Sequence, residues 1–441
     1  RTPRGTHPEG RPTAVSRMTS GNPVSSNGRL TGSRRRRLIG LGVAVAILLA
    51  VASQLSLREL DVAVYHQAAE RVFVEGVDPY PRRPGDGLPF TYPPTALVLF
   101  VPLTLLDLQQ SIHAMLALNL VLAIAVMVVI VGDLARDDPS GRLRFWGPVY
   151  IAVSGGLYLN LVFGQINLLL LLLLWGFWRG IRRGQTGFGS GAALALGCMA
   201  KPHYALLAAA AGPRPGGRLL LGAAAAGLGL VGVSLAVAPA GAWWSWLSDI
   251  VATSSLTNLP PGHSSIAAPW NRSIPGLVAR FFVPNKFSEP VLESPAMARL
   301  IATGLILAVG AVTAWLLVRS MRNAGRTAVD HDLELSLLAV GVFLISPASW
   351  THHLVMLMPA ALVVLRDKVL SPAEALGSRL TAALVLAVLA LTLDDLIPRE
   401  LRVSSQAVMS LMTMAVIGLW LLLAQDLNRR IRARGTDRLP G

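Results

Sequence analysis

Four short stretches carry the residue types that bond-making chemistry needs, and each lies at the edge of an apolar run. The first is "LRELDVAVYHQAAE" (57–70), where Glu59 and Asp61 lead into a helical pattern bearing Tyr65 and His66. A carboxylate there has two readings. Asp61 could cap the helix that follows, offering its oxygens to the free N–H groups of the first turn. It could also serve as a general base, its pKa raised by partial burial beside lipid. Two residues earlier, Glu59 would point to a different helix face and fall in the entering turn, so Asp61 is the stronger candidate.

The second stretch is "AKPHY", in which Lys201 and His203 flank a helix-breaking proline. The lysine could snorkel to headgroups, or hold a phosphate while negative charge grows on it. In "FGQIN", Gln165 and Asn167 fall at a turn, where they could join helices or orient sugar hydroxyls. "SWTHH" sets Trp350 before His352 and His353. Adjacent histidines on a helix point about 100° apart. With no carboxylate beside them a metal site is not expected, and hydrogen bonding to phosphate or hydroxyl groups fits better. Tyr92 is an aromatic able to stack on a sugar or to sit in an interfacial belt. Asn271 and Arg280, in and after a long loop, could reach a lipid phosphate.

The elements that must position these groups are apolar helices. The chain has 441 residues, 53% hydrophobic and only 14% charged, with a mean hydropathy of +0.55. A soluble domain carries about a quarter charged residues. An all-α polytopic membrane protein is expected. Residues 1–33, rich in Pro, Gly, Ser and Arg, read as a disordered tail. The "RRRR" that follows reads as the flank of a retained anchor with a cytoplasmic N-terminus. Residues 34–426 form the transmembrane domain and 427–441 a basic cytoplasmic tail. Apolar runs imply about a dozen crossings, several too short for a straight span and therefore broken. Residues 93–106 are expected to lie along the interface.

Arg-rich segments at 179–184, 319–326, 366–368 and 428–434 should share the cytoplasmic side. Alternation then puts Asp61, Gln165, Lys201, the 241–296 loop and Trp350 together on the other face. The net charge of +15 is thereby explained as loop arginine beside membrane, not as a nucleic-acid groove. The lone Cys198 excludes an internal disulfide.

"LDVAVYHQAAERVFVEGVDPY" followed by "LPFTYPPTALVLFVPL" resembles the opening of GT-C fold, polyprenyl-phosphate-dependent glycosyltransferases, and more narrowly the actinobacterial family 87 α-mannosyltransferases. "FGQINLLLLLLL", "AKPHYALL", "NRSIPGLVAR" and "SWTHHLVML" follow in that family's order. The resemblance implies a GT-C-type fold, Asp61 as base, a polyprenyl-phosphate-mannose donor, a glycolipid acceptor of the phosphatidylinositol mannoside or lipomannan type, and inversion to an α-1,2 product. It places the site at the outer face of the plasma membrane. Arabinofuranosyltransferases share the fold and remain an alternative.

On this reading Lys201, Arg280 and His353 hold the donor phosphate. Tyr65, His66, Tyr92, Gln165, Asn167, His203, Asn271, Trp350 and His352 line the substrates. No cofactor is expected, and no Gly-rich phosphate loop in a strand–helix setting suggests a nucleotide. A transporter would also break its helices around polar groups, but it would gather them at the midplane.

Overall fold

The computed structural model describes residues 26–55, 60–81, 86–213, 216–323, 325–392 and 405–436. Among these the chain is helical throughout, with one isolated bridge between Asn271 and Trp350. Four helices are long and apolar enough to cross a bilayer: Leu108–Leu134, Gly217–Val237, Pro295–Met321 and Gln406–Arg434. A fifth span arises if Leu143–Ala152 and Gly155–Val162, bent by 45° at their junction, count as one. Among the described residues, then, length and composition give four or five spans and do not confirm the dozen expected crossings. Most other apolar runs fold as shorter helices, as at Phe188–Gly197, or change helix type partway. The 351–369 run passes from a 3₁₀ turn (Thr351–Leu357) through Met358–Val364 to a wider-wound Leu365–Val369 turn.

The Pro94–Leu105 segment is a 3₁₀ helix packed on Leu60–Phe73. The helix Ser26–Ala52 begins inside the stretch expected to be disordered, and Gln406–Thr436 carries the C-terminal basic run as continuous helix. Residues 1–25, Glu59 and the Asp394–Asp395 pair lie outside the described residues.

Small residues allow the short helices to pack backbone to backbone. A Cβ on Gly191 would lie 1.9 Å from the Leu219 carbonyl oxygen, and one on Gly222 would lie 1.9 Å from that of Phe188. Phe188–Gly197 and Gly217–Val237 therefore touch main chain to main chain, and the former also packs on Asn167–Arg182.

The four basic segments expected to share a face do meet at one end of the bundle. Asp332, fully buried in the first turns of Ala328–Ile345, accepts from Arg182 Nε at 2.6 Å and Arg366 Nη1 at 2.9 Å. Trp178 Nε1 adds a third donor at 3.1 Å. Nearby, Arg326 pairs with Glu334, and Arg434 with Asp330. Arg182 ends the Asn167–Arg182 helix whose start lies at the Gln165 turn, about 24 Å away at 1.5 Å per residue. The charged clamp and the candidate site therefore occupy opposite ends of the same helices.

Removing the Asp332 carboxylate would leave Arg182 with Asp137 and Arg366 with Asp367 as their remaining ion partners. Asp332→Asn is expected to cost about 3–5 kcal/mol, the usual penalty for breaking a buried pair. Thermal unfolding in detergent would check this, and an unchanged melting curve would show that the clamp carries no stability.

Candidate active site

Asp61 stands in the first turn of Leu60–Phe73, where the helix dipole favours a carboxylate. What fixes that helix is a turn from another part of the chain. Gly164, between Gly155–Val162 and Asn167–Arg182, has φ +63°, and a Cβ there would lie 2.3 Å from Val62 Cγ2. Only glycine gives both the left-handed backbone and the room for Val62 to close against it. One residue further, Gln165 is buried, and its Oε1 accepts from Tyr65 Oη at 3.0 Å and Tyr92 Oη at 3.2 Å. That leaves the amide nitrogen of Gln165 to face Asp61, whose carboxyl it draws down in pKa. Tyr65 lies one turn along from Asp61 and stacks on Phe100, with ring centroids 4.4 Å apart.

Lys201 enters from the break between Phe188–Gly197 and the 3₁₀ helix Pro202–Ala211. Thr95 Oγ1 holds that break by donating to the Met199 carbonyl at 2.6 Å. The lysine is 5% exposed, its Nζ lying 2.8 Å from His353 Nε2 and 5.5 Å from the Tyr92 ring centroid. His352 and His353 begin the Thr351–Leu357 turn, which packs on Gly155–Val162 closely enough that a Cβ on Gly156 would meet Leu354 Cβ at 2.9 Å. His352 sets its ring edge-on to Phe163, and its Nε2 has no hydrogen-bond partner among the described residues.

These groups face one cavity of about 760 Å³. Asp61, Tyr65, Tyr92, Lys201, His203 and Trp350 are among its walls, as are His352 and His353. Another part of the wall is apolar, built from Leu88, Ile250, Val251 and Leu259. Burial lifts the Asp61 carboxyl from 3.8 to about 6, against the opposing hydrogen bond from Gln165. Among the described residues no group of three or more His, Cys, Asp or Glu is arranged to hold a metal ion.

Five of the expected site residues stand elsewhere. Arg280 is fully buried, and its guanidinium donates to the carbonyls of Ala268 and Asn271 and to Ser410 Oγ, away from the cavity wall. Asn271 is also structural. Its Nδ2 donates to Ile266 O and Pro347 O, both at 2.9 Å, and its Oδ1 receives the Ser273 and Ser349 N–H groups. His66 bonds Leu106 O and faces Glu70. Asn167 donates to Asn160 inside the bundle. Gln165 sits behind the two tyrosines and does not line the cavity.

His263 and Trp246 are among the wall residues not expected from the sequence. His263 stacks flat on Trp350, 5.2 Å between centroids, but it comes from a Pro/Gly-rich loop with no periodicity to mark it. Trp246, in a "WWSW" run that reads as a membrane anchor, donates instead to Thr91 O at 3.2 Å and faces the cavity.

Residues 90–347, more than half of the chain, match the model of glycosyltransferase family 87. That match includes Gln165, Lys201 and His263, while Asp61 and the 352–353 pair lie outside it. A polyprenol-phosphate-mannose-dependent alpha-(1-2)-phosphatidylinositol mannoside mannosyltransferase of Mycobacterium tuberculosis is 29% identical over 297 residues, covering 64% of this chain and 62% of that one. The protein of the same description from Mycolicibacterium smegmatis is 27% identical over 298 residues, 63% of this chain and 62% of that one. The chain thus spans about three-fifths of the length of the curated relatives it matches. No solved structure matches significantly.

The raised Asp61 pKa has a consequence for stability. A carboxyl whose folded-state pKa exceeds its unfolded value disfavours the folded ionised form. The penalty is absent below 3.8 and complete above about 6. Asp61→Asn is therefore expected to stabilise the protein at pH 7.5, by at most about 3 kcal/mol at 1.36 kcal/mol per pKa unit. The gain should fade as pH falls to 4. Melting curves of both proteins across that range would test it, and a gain unchanged at pH 4 would assign the effect to packing.

Proposed function

The chain belongs to glycosyltransferase family 87, and we propose that it is an inverting membrane mannosyltransferase of the GT-C type. On this reading it moves mannose from a polyprenyl-phosphate donor to a glycolipid of the phosphatidylinositol mannoside or lipomannan type, forming an α-1,2 linkage at the extracytoplasmic face. The relatives' described activity supports the donor, acceptor and linkage. The observation that carries the mechanism is the shared cavity. One carboxylate, Asp61, and one amine, Lys201, face the same space, with the histidines beside the amine and an apolar wall alongside.

That arrangement suits transfer between two lipids. The prenyl chain lies against Ile250, Val251 and Leu259. The phosphate sits at Lys201, His352 and His353, where donors meet the charge that grows as the sugar–phosphate bond breaks. Asp61 accepts the proton of an acceptor hydroxyl, whose oxygen attacks the anomeric carbon from the face opposite the phosphate. One displacement converts a β-linked donor into an α product. Tyr65 and Tyr92 bracket the base, holding Gln165 so that the carboxylate keeps one orientation. A base raised to about 6 is ionised at neutral pH while keeping more basicity than an ordinary aspartate.

Two measurements test this reading in the lipid-reconstituted protein, supplied with polyprenyl-phosphate mannose and a phosphatidylinositol mannoside. Asp61→Asn is expected to lower transfer by about 10²-fold or more while donor still binds. Equal rates in both proteins would remove Asp61 from the mechanism. Wild-type kcat/KM should rise as pH climbs through about 6, as the base loses its proton. A wild type that transfers arabinofuranose from its lipid but no mannose would reassign the donor.

A further inference from the structure

The hydrogen bonds around His353 constrain the charge on Lys201. His353 Nδ1 receives the Trp350 backbone N–H at 3.2 Å, and a backbone amide nitrogen can only donate. Nδ1 must then be the bare ring nitrogen, so a neutral imidazole carries its proton on Nε2. That N–H faces Lys201 Nζ at 2.8 Å. An ammonium has three donors and no lone pair, so it cannot accept from Nε2–H. An imidazolium, protonated on both nitrogens, cannot accept the Trp350 N–H at Nδ1 whatever the state of the lysine. Both contacts are satisfied together only when Lys201 Nζ offers a lone pair.

We propose that Lys201 is a neutral amine in this arrangement, and that it takes up a proton when a phosphodiester binds, so that the cavity gains its cation together with the anion. This inference rests on the cavity being the seat of the donor phosphate.

The surroundings favour the neutral form. Lys201 is 5% exposed, and among the described residues no carboxylate forms an ion pair with it. His353 and His352 face it from one turn, His203 from its own 3₁₀ helix, the Tyr92 ring from below, and Asp61 from the Leu60–Phe73 helix. An unpaired ammonium buried among neutral rings carries a large desolvation cost. Burial lowers the amine to about 7, with Asp61 opposing the shift.

A phosphodiester changes the balance by bringing a fixed negative charge. The lone pair on Nζ takes a proton from solvent, and the ammonium no longer accepts from His353. Nε2–H and the three ammonium hydrogens are then all free to donate to phosphate oxygens. No covalent bond changes, and the single proton moves from buffer to Nζ.

The test is calorimetric titration of the full chain in lipid nanodiscs at pH 8 with a short-chain isoprenyl phosphoryl-mannose. This diester ionises far below neutral pH and so brings no proton of its own. Binding heats in two buffers of different ionisation enthalpy give the protons taken up. Wild type and Asp61→Asn are each expected to take up about one proton per diester bound, and Lys201→Arg close to none. The pH course gives a second readout. Uptake by Lys201 shrinks as pH falls from 8 to 6, whereas uptake by a histidine grows over that range. Equal heats in both buffers for Asp61→Asn would overturn the proposal. So would uptake that persists in Lys201→Arg, or uptake that grows toward pH 6. A wild type that fails to bind the diester would overturn this proposal and the donor-site reading together, whereas binding without proton uptake would overturn this one alone.

Discussion

Lipid cannot hydrogen-bond a backbone N–H or C=O, so a helix surrounded by it can break only where protein or water satisfies the freed groups. That constraint shapes this fold. The breaks at Gly164, at 198–201 and at 346–350 gather around one cavity, and backbone freed at the last two is met from other segments of the chain. Thr95 takes up the Met199 carbonyl, the Arg272 N–H meets the Ser349 carbonyl at 2.6 Å, and Asn271 ties the Pro347 carbonyl and the Ser349 N–H. A cavity lined by polar side chains follows from gathering the breaks. The carboxylate, the amine and the histidines stand where regular helix stops.

This explains which site residues were legible in the sequence. Asp61, Lys201, His203, Trp350, His352 and His353 each interrupt or adjoin an apolar run, and such interruptions mark breaks. Gln165 was visible for the same reason, yet its placement was not. Whether an amide at a turn faces the cavity or sits behind it depends on Tyr65 and Tyr92, which lie 100 and 73 residues away in the chain. Arg280 and Asn271 mislead because a guanidinium and an amide suit loop carbonyls as well as they suit phosphate. In a loop folded into the bundle, carbonyls without helical partners are the nearer demand. His263 and Trp246 gave no signal, since a loop has no period to place them.

The helical class and the grouping of basic segments were also readable, because apolar length and arginine position are local properties. The number of crossings was not. A run of ten or twelve apolar residues can be a broken span, an interfacial segment or a buried packing helix. Phe188–Gly197 and Pro94–Leu105 are two such runs, and apolar length alone does not choose among these for either. The glycine contacts at Gly191 and Gly222 bring two helices main chain to main chain, a packing that hydropathy does not report.

The two ends of the bundle treat charge in opposite ways. At one end, Asp332 is matched by Arg182 and Arg366, which also meet Asp137 and Asp367, and Glu334 is matched by Arg326. At the other, Asp61 and Lys201 share a cavity without forming an ion pair, with the Gln165 amide facing the carboxylate and His353 facing the amine. A saturated cluster holds helices in place because any displacement leaves a buried charge alone. An unsaturated pair holds less firmly but stays available to react, since neither group is already neutralised by the other. The rigid clamp therefore sits at the far end of the helix that carries the Gln165 turn. With the bundle held there, Asp61 and Lys201 face one cavity with no ion pair between them to neutralise either.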